Sequence, residues 1–275
     1  MNSWKNEGPI LLIDGMGLIH RAKVGNLDGE FVLIYNFFRS FRYLVDSFSP
    51  SQIFFVLEGD PKARKALYPE YKKNRIIKTA EDQSKKDLFL NKAQEIIKLL
   101  QFLPVTLVRH PDHEADDVIG SLVDNLTNEN VVIISGDSDL IQLLQRGHDK
   151  LKLYHPIKKE YISAPKYNYL AYKCLAGDKK SDNIAGIVSQ SKALKLIEDP
   201  DKLSKFFDIK ENVSLFNLNK AVIELTYPNL LEAEFIKPTI NFSFLKSEFK
   251  RMEFETIIND KSWDIFKNTF AGIDF

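Results

Sequence analysis

The stretch "SGDSDL" carries Asp137 and Asp139 one residue apart, directly after the apolar run Val131-Val132-Ile133-Ile134. "HEADD" carries Glu114, Asp116 and Asp117 where a helix should begin. Single acids follow apolar runs at Asp14 and Glu58, and a further pair, Asp178 and Asp182, lies in "GDKKSD". Carboxylates gathered in one cleft raise one another's pKa unless a counter-charge is present. Hard divalent cations such as Mg2+ or Mn2+ supply that charge to oxygen ligands. Two such ions a few Å apart can activate water and stabilise the leaving oxygen in phosphodiester cleavage. Taken singly, each piece has a simpler explanation: an Asp after a strand caps a helix, and acids in a first turn complement the helix dipole. Their joint occurrence asks for another reason.

The elements that must position these acids are legible from periodicity. Ile10 to Ile13 reads as a buried strand ending at Asp14-Gly15, Ile53 to Leu57 as a second ending at Glu58-Gly59, Val105 to Val108 as a third and Val131 to Ser135 as a fourth. Between them, Phe31 to Phe48 has an aromatic-rich apolar face at helical spacing, Leu88 to Leu100 returns to helix period, and "DHEADDVIGSLVDNL" opens another helix. Ser138 to Leu144 reads as the next helix, followed after Lys150 by two short strands and a helix in "APKYNYLAYKCLAGD" ending at Gly177. Alternating strands and helices with short links predict an α/β fold, a mostly parallel central sheet with helices on both faces. In such sheets ligands bind outside the carboxyl ends of the strands, where Asp14, Glu58, Asp137 and Asp139 lie. The stretch from Asp60 to about Lys86 has no clear apolar face and reads as an arm or insertion. From Pro200 onward the pattern is least informative, although "FLKSEFKRMEFETIIN" is helical in character.

Composition narrows the class. Of the 275 residues, 44% are hydrophobic and 28% charged, and no apolar run is long enough to cross a membrane. The opening "MNSWKNEGPI" has no apolar signal core, and the lone Cys174 excludes an internal disulfide, so a reducing cytoplasm is expected. Net charge is zero, but it hides segregation: Lys62, Arg64, Lys65, Lys72, Lys73, Arg75 and Lys78 face one acid, Glu70, over seventeen positions. A basic segment opposite an acidic cluster suits a polyanion bound beside cations, and the simpler alternative is a solvated helix face.

The pieces "LLIDGMGLIHRA", "FFVLEGDPKARKALYPEYKKNR", "HEADDVIGSLV", "VVIISGDSDLIQLL" and "CLAGDKKSDNIAGI" occur in this order over residues 10–187. With them the chain resembles the 5′-nuclease, or flap endonuclease, superfamily, which includes phage 5′-exonucleases, phage RNase H-type primer-removal nucleases and the 5′-nuclease domain of bacterial DNA polymerase I. The resemblance implies a PIN-like nuclease core over residues 1–164, with a helical arch at about 60–90. It also implies a helical, hairpin-containing DNA-binding region over 165–275 packed on the core. It implies two Mg2+ ions, replaceable by Mn2+: Asp14, Glu58, Glu114, Asp116 and Asp117 would form the first site, and Asp137, Asp139, Asp178 and Asp182 the second. Lys72 and Arg75 would contact the scissile phosphate. Arg64, Tyr68, Tyr71 and Lys73 on the arch, with Lys192 and Lys195 beyond it, would contact nucleic acid. The implied substrates are DNA with 5′ ends or flaps and RNA–DNA hybrids, and the chain is expected to act as a monomer recruited by a sliding clamp or a single-strand-binding protein. The apolar tail "FKNTFAGIDF" is expected to pack on the domain, the alternative being a clamp-docking peptide.

Three departures from the pattern matter. Glu58 stands where relatives usually carry Asp, with Asp60 close by. "GDKKSD" spaces its acids one residue wider than the commoner Asp-x-x-Asp. "GIVSQSKALKLI" lacks the second glycine of the usual hairpin, so grip on duplex through backbone amides there is expected to be weak. Two other classes stay open at this stage, a non-catalytic nucleic-acid-binding protein on the same fold and a small-molecule phosphatase. The first gives no use to the acids, and the second gives none to the basic segment.

Overall fold

The computed structural model describes residues 8–23, 29–75 and 79–275. The strands are β1 (Ile10–Asp14), β2 (Gln52–Leu57), β3 (Thr106–Arg109), β4 (Val131–Ile134), β5 (Leu151–His155), β6 (Glu160–Ile162) and β7 (Glu234–Ile236). The helices of the first half are α1 (Gly15–Arg21), α2 (Val32–Phe48), α3 (Lys62–Leu67), α4 (Ala80–Leu100), α5 (Ala115–Asn125) and α6 (Ile141–Leu144). Those of the second half are α7 (Tyr169–Ala176), α8 (Gln190–Ile197), α9 (Pro200–Phe207), α10 (Lys210–Ile223), α11 (Phe242–Arg251), α12 (Glu255–Ile258) and α13 (Asp260–Thr269).

Among the described residues the strands form one sheet in the order β6-β5-β4-β1-β2-β3-β7. Its five inner strands pair in parallel, and the edge strands β6 and β7 run antiparallel to their neighbours. β1 is central and apolar on both faces because each face has its own core. Leu11 and Ile13 pack with Phe37, Phe41 and Phe249 from α2 and α11, whereas Ile10 and Leu12 pack with Val118 and Ile119 of α5 and Leu143 of α6. The period-2 alternation of a strand divides one apolar run between the two layers.

Three features depart from the expected layout. Residues 15–21 form a helix, since Asp14 caps it by accepting the Gly17 amide at 2.9 Å. α4 starts at Ala80, a turn or two before the apolar face begins, because Thr79 accepts the Asp82 amide as its N-cap. The helical region expected from 165 onward is interrupted by β7, and its last third returns to the first core: Phe249, Phe266 and Phe270 pack with Phe38 and Phe41. The separate helical body is confined to α7–α10, around Leu175, Ala193, Leu196 and Phe216. The C-terminal tail also packs. Phe270 and Ile273 are buried, and the Asp274 amide bonds to the Ser51 carbonyl at 2.8 Å.

Candidate metal centre

Strand order reverses beside β1, whose neighbours are β2 on one side and β4 on the other. Loops leaving such a pair diverge and open a crevice at their carboxyl ends. Asp14 ends β1 and Ser135 follows β4, and the register Ile13–Ile134 sets them side by side. Ser135 Oγ donates to Asp14 Oδ2 at 2.8 Å and accepts the Asp137 amide at 3.0 Å. Asp137 in turn accepts the Asp139 amide at 2.8 Å, so the "GDSD" loop is wired to Asp14 through one hydroxyl. Burial, with Asp137 adding to it, pushes the Asp14 carboxyl up despite the Gly17 and Ser135 bonds.

The first acidic group is Glu114, Asp116 and Asp117, whose oxygens converge within 4.8 Å of one another. Burial raises Asp116 well above the usual carboxylate range, and Asp117, Glu114 and Asp137 add to it. Asp117 is held by the guanidinium of Arg64 at 2.5 and 2.6 Å and by the Thr226 amide at 2.8 Å. Glu114 accepts from Arg64 at 2.8 Å, from the Tyr71 hydroxyl at 2.7 Å and from Lys72. Burial alone would raise Glu114, but Lys72, Tyr71 and Arg64 hold it below the usual range. Glu58 keeps accessible surface, yet crowding by protein, helped by Asp14 and Glu114, pushes its carboxyl up to about 7. Its Oε2 accepts the Ala115 amide at 3.1 Å, which ties the end of β2 to the start of α5.

The second group is Asp139, Asp178 and Asp182, also converging within 4.8 Å. Lys173 of α7 lies between two of them, 2.9 Å from Asp139 Oδ1 and in contact with Asp178. Asp139 Oδ1 is buried and has no aligned hydrogen bond in spite of that lysine. Burial pushes Asp139 up to about 6, with Asp137 and Asp182 adding to it. Lys72 links the groups, pairing with Glu114 of the first and lying 3.7 Å from Asp182 of the second. Arg75 reaches Asp182 at 3.2 Å.

All nine acids singled out in the sequence thus meet at one end of the sheet, through direct bonds, convergence or mutual charge repulsion. The basic segment behaves differently from expectation. Arg64, expected against nucleic acid, is buried, and all five of its donor positions are taken, by Glu114, Asp117 and the carbonyls of Val222 and Glu224. Tyr71, expected beside it on the arch, is buried with its hydroxyl on Glu114, and Tyr68 packs against the same small core with its hydroxyl 3.4 Å from the Asn183 carbonyl. Arg64 neutralises and Tyr71 hydrogen-bonds carboxylates that are themselves buried, while Tyr68 packs beside them, so these side chains close the site from within. Lys62 pairs with Asp112, Lys65 with Asp60 and Lys73 with Glu70. Lys78 lies outside the described residues. Lys192 and Lys195 are exposed on α8, whose cap is the Ser189 hydroxyl and whose preceding residues Ile187 and Val188 direct their amides to the Leu175 carbonyl.

Sequence reasoning missed Ser135 and Lys173. Ser135 reads as the end of an apolar strand, and Lys173 as an ordinary lysine on a helix. No local signal marks Lys173, because the buried acid it faces, Asp139, comes from a distant loop.

A family model described as 5′-3′ exonuclease, N-terminal resolvase-like domain, matches residues 9–170. The 5′-3′ exonuclease of Mycoplasmopsis pulmonis is 28% identical over 247 residues, covering 85% of this chain and 80% of the relative. That of Bacillus subtilis is 28% identical over 235 residues, covering 76% of this chain and 75% of the relative. Among solved structures, a bacteriophage T5 flap endonuclease variant, captured with DNA and metal ions, superposes with a TM-score of 0.66 at 18% identity, covering 94% of this chain and 98% of its own. Flap endonuclease-1 from Methanococcus jannaschii gives a TM-score of 0.66 at 15% identity, covering 96% and 93%. At those identities the structural likeness speaks for the fold.

Proposed function

This chain belongs to the 5′-3′ exonuclease family, and from that premise we propose that it is a metal-dependent, structure-specific 5′ nuclease hydrolysing DNA phosphodiesters at 5′ ends and flaps. The observation that carries the reading is the pair of converging acidic groups bridged by Lys72. The donor set suits the group it would hold. Every ligand is a hard carboxylate oxygen, several acids are raised in pKa by burial and by one another's charge, and Asp139 Oδ1 is buried without an aligned partner. Asp14, Glu58, Glu114, Asp116 and Asp117 would hold one Mg2+, and Asp137, Asp139, Asp178 and Asp182 a second, with Mn2+ able to replace them. When bound, such ions supply the charge that activates water and stabilises the leaving oxygen.

The chain's own residues then divide the work. Lys72 stands between the two groups, Arg75 flanks the second at Asp182, and both offer positive charge to the phosphate being cut. Arg64 and Tyr71 keep Glu114 and Asp117 oriented. Lys73, Lys192 and Lys195 track the backbone at the periphery, where each phosphate contact adds salt-dependent affinity. Substrates include RNA primers in RNA–DNA hybrids, the acting form is a monomer in the cytoplasm, and a clamp or single-strand-binding protein would recruit it through a surface other than the buried tail. A binding module would gain nothing from so many repelling carboxylates, and a phosphatase would need no bridge as long as Lys72 and Arg75 provide.

One gel tests the reading. End-labelled 5′ flap, nicked duplex, blunt duplex and RNA–DNA hybrid are incubated with MgCl2 and with chelator. Mg2+-dependent release of short 5′ products is expected, leaving a 5′-phosphate on the retained strand. Retardation of the same DNAs without cleavage under any divalent cation would favour the binding module.

A further inference from the structure

The loop that carries Asp178 and Asp182 is wider than the family pattern, and an element far away in sequence holds it from outside. Within the loop, Asp178 Oδ1 accepts the Ser181 amide at 2.9 Å and the Asp178 carbonyl accepts the Asp182 amide at 3.0 Å. Those bonds close the turn and leave the carbonyls of Lys179 and Lys180 directed away from it. Asn74, in the turns that follow α3 and that we call the base of the arch, takes both: its Nδ2 donates to Lys179 O at 3.1 Å and to Lys180 O at 2.9 Å. Besides the Lys72 ammonium near Asp182, the same two segments share four more hydrogen bonds. The Lys72 amide donates to the Asp182 carbonyl at 3.0 Å, Arg75 Nε to the Ser181 carbonyl at 3.3 Å, Arg75 Nη2 to Asp182 Oδ1 at 3.2 Å, and Asn183 Nδ2 to the Glu70 carbonyl at 2.9 Å. Lys72 and Asn183, which supply contacts from either side, both adopt positive φ, 56° and 62°.

We propose that Asn74 is a positioning residue. By holding two consecutive carbonyls of the widened loop it keeps Asp178 and Asp182 converged on Asp139, and so couples the base of the arch to cation binding at the second acidic group. The inference rests on the metal-dependent reading above and adds a residue that touches neither cation nor phosphate. Its chemistry is specific. Two carbonyl acceptors need a donor with two hydrogens on one nitrogen, which an amide supplies and a carboxylate does not. The coupling is reciprocal, since whatever orders the loop also favours the arch base that docks on it.

The test is Mn2+ binding to the DNA-free full chain, read by electron paramagnetic resonance, together with amide exchange over residues 70–75. Wild type should bind two Mn2+, and filling the weaker site should slow exchange at the arch base. Asn74→Ala and Asn74→Asp should weaken the second site about tenfold or more, leave the first within twofold and abolish the exchange response. Asn183→Gly keeps the positive φ and removes only the reciprocal bond to Glu70, so it should weaken the second site too, and it serves if the Asn74 variants do not fold. An unchanged second site and exchange response in the folded variants overturns the proposal. Failure of wild type to bind two Mn2+ would instead count against the metal-dependent reading.

Discussion

The guanidinium of Arg64 meets the carboxylate of Asp117 end-on, through Nη1 at 2.5 Å and Nη2 at 2.6 Å, with both side chains almost fully buried. A pair of this kind is a structural commitment, because removing one partner strands the other charge out of water. Arg64→Ala should therefore destabilise the metal-free protein by about 3–5 kcal/mol, measured by urea unfolding in chelator. A loss below about 1 kcal/mol, the range of exposed pairs, would return Arg64 to the surface role its sequence position suggested.

Lys72 neutralises Glu114 and stands near Asp182, and in the proposed reaction it would act where the charge changes. Lys72→Ala should lower kcat by about 100-fold or more while shifting DNA Kd only a few-fold, since one phosphate contact among many is lost. Equal losses in kcat and in affinity would reduce Lys72 to a backbone anchor.

Asp137 is exposed, and its charge raises Asp14, Asp116 and Asp139. Asp137→Asn keeps an oxygen for the Asp139 amide and removes the repulsion. Metal-free Tm should stay the same or rise, and the gain in Tm on adding Mg2+ should shrink, because a ligand stabilises the native state only as far as it binds it. An undiminished Mg2+ gain would remove Asp137 from the cation site.

Glu58 and Asp139 are raised to about 7 and about 6. Between the ordinary carboxylate range and those values the folded chain binds more protons than the unfolded one, so metal-free stability falls as pH rises through that window. Glu114 and Asp178 are held low and oppose this only under more acid conditions, where their protonation removes stability. Burial also lowers His20 and His113, which oppose the trend within the window. The raised Asp14, Asp116 and Asp182 act with Glu58 and Asp139 and outnumber them. In chelator, Tm should therefore be higher near about pH 5.5 than near about pH 7.5. With saturating Mg2+ the order should reverse, since the cation requires the deprotonated acids. A metal-free Tm that climbs across this interval contradicts the assignment.

Phe270 is buried against Phe41 and Phe266, and Ile273 is buried beyond it. Phe270→Ala should cost about 3–5 kcal/mol, read by chemical denaturation. A stable, soluble truncation lacking residues 270–275 would revive the docking-peptide alternative.

How much of this was written in the chain differs from element to element. The strands around Leu11, Phe55 and Ile133 were legible because apolar runs bounded by Asp-Gly, Glu-Gly and Gly-Asp allow little else, and the acids at their ends pointed to one side of a parallel sheet. β7 was not legible. Three residues, Glu234-Phe235-Ile236, become a strand only because β3 offers an open edge, and pairing with a distant edge leaves no mark on local periodicity. The nine carboxylates were named from their types and order, since clustered acids ask for counter-charge whatever the fold. Which cations answer them was decided by tertiary structure. Arg64, Lys72 and Lys173 lie 53, 42 and 34 positions from the acids Asp117, Glu114 and Asp139 that they neutralise, and nothing in their own neighbourhoods separates them from the solvated lysines nearby. Local patterns carry the hydrophobic and charge periodicity that selects the elements. Burial and long-range pairing, which fix what each charge does, exist only once the sheet has brought those elements together.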